Sequence, residues 1–152
     1  MSTLTTPETG IAYGVFPTHR RKLFVNIPVR NLVRSMEFFT KLGFVFNRQF
    51  TDDTATSMLV GDDAYFMLIT EPKFKEFARR PIGDARANTT GIFAIGVNSR
   101  AEVDELANAA FAAGASPAAD PQDHGFMYLK SFFDLDGHHW EVFWMDPSSV
   151  QH

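Results

Sequence analysis

One order of segments occurs twice in this 152-residue sequence, and that duplication limits the available folds more than any single motif does. Residues 23–29 are apolar and β-branched apart from Asn26 and Pro28, which predicts a strand whose proline falls near its end or on an unpaired edge. Asn31 stands where a helix N-cap belongs, Leu32, Met36, Phe39 and Leu42 recur at helical spacing, and Gly43 is the stop. Three short strands follow over 44–50, 55–60 and 65–70, separated by the turn-forming Thr51-Asp52-Asp53 and Gly61-Asp62-Asp63. The second half opens the same way, with a strand over 91–97, a cap at Asn98 or Ser99, an apolar stripe of Val103, Leu106, Ala110 and Phe111, and Gly114 as the stop. A weak, proline-containing strand over 117–120, a strand over 126–133, a turn at Asp134-Leu135-Asp136-Gly137 and a strand over 139–145 complete it. Chance rarely reproduces five elements in order at a period of about 65 to 70 residues, so two βαβββ modules are predicted.

Each helix carries a single apolar stripe and can cover one face of its sheet only. The uncovered faces must then close on a partner module. The expected fold is α+β, with two βαβββ modules forming an eight-stranded, partly open, barrel-like cavity and the helices outside. A single domain over 22–147 divides into module one (22–70), a linker (71–89) and module two (90–147). Within the linker, 71–80 suits a short helix and 81–90 is polar loop. Residues 1–21 are expected to be a flexible tail, as are 148–152.

Composition narrows the function. The formal net charge is −4, and the one basic run, His19-Arg20-Arg21-Lys22, suits a solvated approach to the first strand better than a nucleic-acid face. The absence of cysteine excludes disulfides, thiolate metal sites and a cysteine nucleophile, and favours a cytoplasmic home. Neither a signal peptide nor a stretch of ~20 apolar residues is expected, so no membrane partner is either. Phosphate-binding glycine loops and a serine nucleophile elbow are absent too. Sixteen Phe favour an enclosed apolar interior that serves as core and as small-molecule wall.

Two stretches carry a family resemblance that spans residues 22–147. The run from Phe24 to Leu32 (FVNIPVRNL), with Ser35, Phe38, Phe39, Leu42, Gly43 and Phe44 beyond it, resembles the opening strand and helix of glyoxalase and bleomycin resistance proteins. The run from Asp134 to Glu141 (DLDGHHWE) resembles their closing D-P-D-G-x-x-x-E motif, with Leu135 in place of the proline. These features, with the duplication, identify the chain as similar to the vicinal oxygen chelate superfamily, and most similar to bacterial proteins commonly labelled lactoylglutathione lyases.

The resemblance implies a metal site built by two His and one or two Glu from equivalent strands, which leaves coordination positions open to two substrate oxygens. Carried over position by position, the opening-strand His falls on Phe24, the last-strand position of module one on Leu68, and the module-two opening His on Ile92. Only the closing Glu survives, as Glu141. Phe24, Leu68 and Ile92 have no electron pair to give, so a divalent metal at these positions is disfavoured.

Glu141 is the candidate catalytic residue: either a general base facing the cavity or a carboxylate hydrogen-bonded to Asn26 or Ser131. Candidate ligand contacts are Phe24, Asn26, Leu68, Ile92, His124, Leu129, Ser131 and His139. Asn26 can fix a ligand oxygen or satisfy nearby backbone. Ser131 and Leu129 have pocket-lining parity, and His124 lies on a loop where Asp123 can orient its ring. His138 is expected at an exposed turn, and His139 toward the pocket rim. Three readings follow: a glyoxalase-like lyase or isomerase acting on a small oxygenated metabolite, a bleomycin-type binding or sequestration protein without turnover, or a regulatory or assembly module. The resemblance also implies a homodimer, because paired modules in this superfamily usually bury their exposed sheet edges by dimerising.

Overall fold

The computed structural model describes residues 3–5, 10–14 and 20–149. Two short strands near the start, β1 (Thr3–Thr5) and β2 (Ala12–Gly14), pair antiparallel within the segment expected to be a tail. The other residues of that tail before position 20, and residues 150–152, lie outside the described residues.

Module one runs β3 (Leu23–Val29), α1 (Leu32–Lys41), β4 (Val45–Asn47), β5 (Ala55–Gly61) and β6 (Ala64–Thr70). Module two runs β7 (Ile92–Gly96), α3 (Arg100–Ala112), β8 (Ser116–Pro117), β9 (Gln122–Asp123), β10 (Met127–Phe133) and β11 (His139–Met145), and α2 (Glu71–Phe77) lies between the modules. The duplication is exact in topology: the sheets are ordered β3-β6-β5-β4 and β7-β11-β10-β8, with β9 also on β10. In each, the first strand pairs parallel with the last. The caps act as expected: Asn31 accepts from Arg34 N, and Ser99 from Glu102 N. Pro28 sits one residue from the end of β3, an edge strand, where its missing N–H costs no ladder bond.

Two strand expectations change. Only Val45–Asn47 of the 44–50 segment is strand, because Asn47 accepts from Gln49 N and turns 48–50 into a 3-10 helix. The weak strand over 117–120 is instead β8 and β9. Pro117 pairs with Phe132 and Gln122 with Leu129, so residues 118–121 bulge opposite Lys130 and Ser131.

The larger correction concerns the cavity. The helix-bearing faces of both sheets share one core, in which the Trp140 ring lies 5.3 Å from Phe39, 4.6 Å from Phe66 and 5.2 Å from Phe93. Phe38 meets Phe132 across the same seam. A sheet has two faces, and these two sheets spend their helix-bearing ones on each other. They remain separate and do not close into a barrel, the two helices both feed the shared core, and the opposite faces point outward.

The turn after β10 clasps the modules together. Asp136 accepts from Arg30 N at 2.9 Å and from Ser35 Oγ at 3.3 Å, and His138 Nε2 lies 2.7 Å from Pro28 O. His138 is therefore 3% exposed, not a surface residue. Beneath it, the buried Asp134 carboxylate accepts from Trp140 Nε1 (2.8 Å), His138 N (3.0 Å) and Asp136 N (2.9 Å). Gly137 has φ 89, and a Cβ there would stand 2.9 Å from Arg86 Cα, so the linker packs where only glycine fits.

Candidate functional site

Strand alternation decides which residues reach the outward faces. On β3, Val25, Ile27 and Val29 enter the core, which leaves Phe24, Asn26 and Pro28 on the open side. Register sets Phe24 beside Tyr65 and Asn26 beside Met67, and the Phe24 and Tyr65 rings stack at 4.7 Å. The open face of the second sheet carries Ile92 and Ala94 on β7, His139, Glu141 and Phe143 on β11, and Leu129, Ser131 and Phe133 on β10. Phe24 is 49% and Ile92 54% exposed, so the edge strands of both faces present uncovered apolar side chains within one chain.

Glu141 sits mid-strand, paired with Ala94 on one side and Ser131 on the other. Its carboxylate takes no hydrogen bond from Asn26 or Ser131. The Asn26 amide donates to Phe24 O at 3.3 Å, and the Ser131 hydroxyl accepts from Ala119 N at 3.1 Å, where the 118–121 bulge folds over it. His139, two residues before Glu141 on the same face, brings Nε2 to 4.0 Å from Glu141 Oε1, and its ring packs edge-on against Phe133. That nitrogen is buried without a hydrogen-bond partner.

Leu68 is a correction. It is fully buried on the helix side of β6, and Met67 occupies the open face beside Asn26. Leu129 lies on the open face but is nearly covered. His124 is exposed in the β9–β10 turn, 3.3 Å from Gln122 Oε1, and stands apart from Glu141's neighbours in the ladder. Asp123 does not orient it. Arg100 takes both Asp123 carboxylate oxygens, at 2.7 and 2.9 Å, and holds that carboxyl well below the usual carboxylate range. The Arg100 guanidinium also lies over the Tyr128 and Trp144 rings.

A cavity of about 450 Å³ opens beside this face. His139 and Phe133 form its sheet-side wall, with Asn88, Thr90 and Ser116 contributing polar atoms. Sequence reasoning missed Tyr65, Met67 and this linker-lined cavity. Tyr65 was findable, because pairing the first strand with the last places it next to Phe24.

The donor set does not suit the family's metal. Around Glu141, the flanking strand offers Ile92 and Ala94, and His139 on the same strand is the one nitrogen near the carboxylate. No three His, Cys, Asp or Glu side chains converge as a metal group among the described residues.

Two sheets that share the 1-4-3-2 strand order, of four strands and of five with β9, and a lone carboxylate mid-way along the last strand of the second define a paired-module protein of the vicinal oxygen chelate class. The chain belongs to the Glyoxalase/Bleomycin resistance protein/Dioxygenase superfamily, whose family model matches residues 23–142. Among solved structures it is similar to hypothetical protein SA1046 from S. aureus, at 26% identity and TM-score 0.70, covering 82% of this chain and 94% of that one. It is also similar in fold to a glyoxalase/bleomycin resistance protein/dioxygenase from Nocardioides, at 20% identity and TM-score 0.65, covering 91% and 93%. The fosfomycin resistance protein FosX from Mesorhizobium loti shares the fold at 15% identity and TM-score 0.61, covering 88% and 98%. No functionally curated protein matches the chain significantly. No helix among the described residues is long and apolar enough to cross a membrane.

Proposed function

We propose that the protein binds a small, oxygenated, partly apolar metabolite against the Glu141 face of its second sheet, and that a second copy of the chain supplies the facing wall. The observation that carries this is a carboxylate standing, beside His139 and Ser131, on an outward sheet face whose other residues are the apolar Ile92, Ala94, Phe143, Leu129 and Phe133. The other sheet's open face offers the Phe24–Tyr65 aromatic pair, also uncovered. Leaving such surface in water costs about 25 cal/mol per Å². A two-fold homodimer that sets sheet one of each copy against sheet two of the other covers both faces twice. Asn26 of module one then faces Glu141 across an enclosed cavity.

In that cavity Glu141 takes a proton from a carbon beside a carbonyl and returns it to the neighbouring atom, while Asn26 steadies the oxygen that gains charge. This is lyase or isomerase chemistry of the glyoxalase type, carried out in the cytoplasm without the family's metal, since Phe24 and Ile92 offer no electron pair. The same donor-poor site also favours a second reading: binding and sequestration without turnover, as the bleomycin-resistance name of the family suggests.

Elemental analysis of the purified protein with a hemithioacetal isomerisation assay separates these. Turnover that survives chelation and falls on Glu141→Gln supports the isomerase. Ligand binding weakened by Glu141→Gln without turnover supports sequestration. Stoichiometric metal with activity abolished by a chelator refutes the metal-independent chemistry. Light scattering tests the dimer: a monomer at micromolar concentration, or a dimer indifferent to Phe24→Asp, refutes the shared cavity.

A further inference from the structure

A slot of about 300 Å³ lies along β3, the edge strand of the first sheet, where α2 and the linker approach it. Residues 25 to 28 line it in succession, as they do when a slot runs along a strand's edge and meets side chains of both faces. Its apolar walls are Val25 and Ile27 of β3, Phe74 of α2, Ile82 of the linker and Phe93 of β7. No Lys, Arg, Asp or Glu side chain among the described residues lines it. A charged guest would lose its water there and gain no counter-charge, so the lining selects an apolar one. Phe74, Ile82 and Phe93 are each only half-buried, which leaves apolar wall for such a guest to cover. A cavity of roughly 150 Å³ holds benzene, and this slot has room for an aryl or branched alkyl group with its attachment.

One polar side chain gives the slot an orientation. Asn26 lines it and also stands on the open face of the first sheet. Its amide makes one long bond, Nδ2 to Phe24 O at 3.3 Å, and no other hydrogen bond holds the side chain among the described residues. The second N–H of that amide is therefore left for a guest oxygen. An apolar slot with one amide donor at its side is complementary to a hydrocarbon group that carries a carbonyl.

We propose that this slot takes the aryl or branched-alkyl substituent of a ketone whose oxygen accepts the free N–H of Asn26. The substituent lies on one side of the carbonyl, in the slot, and the C–H that Glu141 deprotonates lies on the other. The substrate class of the Glu141 site is then an apolar-substituted ketone, an assignment that rests on the role given to Asn26 above. The slot itself is formed within one chain and needs no second copy.

The test is titration of the full chain, ¹³C-labelled at its isoleucine methyls, with acetophenone, acetone and toluene in separate series. Ile27 and Ile82 report the slot, while Ile11 and Ile92, both more than half exposed, report contact with apolar surface in general. The expected result is saturable shifts at Ile27 and Ile82, with acetophenone at least about tenfold tighter than acetone because its ring leaves water. Asn26→Ala should weaken acetophenone about fivefold, the worth of one hydrogen bond, and leave toluene unchanged. Ile82→Glu puts a carboxylate into the slot from a half-buried loop position and should abolish the Ile27 shift, whereas Val33→Glu on the exposed side of α1 should not. Acetone as tight as acetophenone, shifts that fail to saturate or are matched at Ile11 and Ile92, or an Ile27 response that survives Ile82→Glu overturns the slot. Acetophenone binding that Asn26→Ala leaves intact, or weakens no more than toluene binding, overturns the role of Asn26. The titration involves no turnover, so slot binding that stands while the isomerisation assay fails refutes the Glu141 chemistry alone.

Discussion

The bond from Trp140 to Asp134 joins the core to the inter-module clasp, and its contribution can be isolated. Trp140→Phe removes the indole N–H that Asp134 Oδ2 accepts at 2.8 Å and leaves a buried carboxylate oxygen unpartnered, at about 1–3 kcal/mol. It also vacates part of the indole's contacts with Phe39, Phe66 and Phe93, for about 1–2 kcal/mol more. The single change should therefore cost about 2–5 kcal/mol. Asp134→Asn keeps one acceptor oxygen for the two backbone N–H groups and turns an amide N–H at the indole, stranding its donor. In that background Trp140→Phe has no hydrogen bond left to break and should cost only its packing. The double-mutant cycle should thus show about 1–3 kcal/mol of coupling. Urea unfolding followed by far-ultraviolet circular dichroism at neutral pH measures all four corners without relying on tryptophan fluorescence. A coupling below about 0.5 kcal/mol, the usual additivity error, would refute the claim that this bond ties the core to the clasp.

Burial raises the Asp134 carboxyl above 3.8, ahead of the opposing effects of His138, Trp140 Nε1 and two backbone N–H groups. Between the unfolded value and that raised value the folded chain holds more protons than the unfolded one, so this group's contribution is full below 3.8 and is lost as pH rises through the folded value. Stability against pH should fall more steeply there for the native chain than for Asp134→Asn; parallel curves would refute this. Gly137→Ala should lower stability by about 1–3 kcal/mol in thermal unfolding, because φ 89 and the approach of Arg86 both oppose a Cβ. Arg100→Ala should speed amide exchange at Gly125, whose N–H is held by Asp123 and whose carbonyl by Arg100, and unchanged exchange would show that the turn needs no latch. Because Asp123 is depressed, its pair with Arg100 is present above the ordinary carboxylate range and is lost only as pH falls through the folded value. The latch should therefore still protect Gly125 at pH 4.

What could be read from the sequence divides along a physical line. Caps, stops and the doubled element order were legible, because Asn31, Ser99, Gly43 and Gly114 act within a few residues of themselves. The open-face placements of Glu141 and Asn26 were legible for the same reason, since each alternates with apolar neighbours, whereas Phe24 and Ile92 were reached through the family resemblance. On β6 the alternation carries no such contrast: Tyr65, Met67 and Ile69 are as apolar as Phe66 and Leu68. Only the pairing of Met67 with Asn26 shows that Leu68 belongs to the core. His138 was illegible for another reason, because its partner, the Pro28 carbonyl, lies 110 residues away and appears only once the modules are docked. Docking also fixes where a site can form. Had the open faces met within one chain, Phe24 and Glu141 would share a cavity in the monomer. Instead Trp140, Phe39, Phe66 and Phe93 join the helix-bearing faces and both open faces point outward; if a second copy covers them as proposed, function at Glu141 should vary with protein concentration wherever that dimer dissociates.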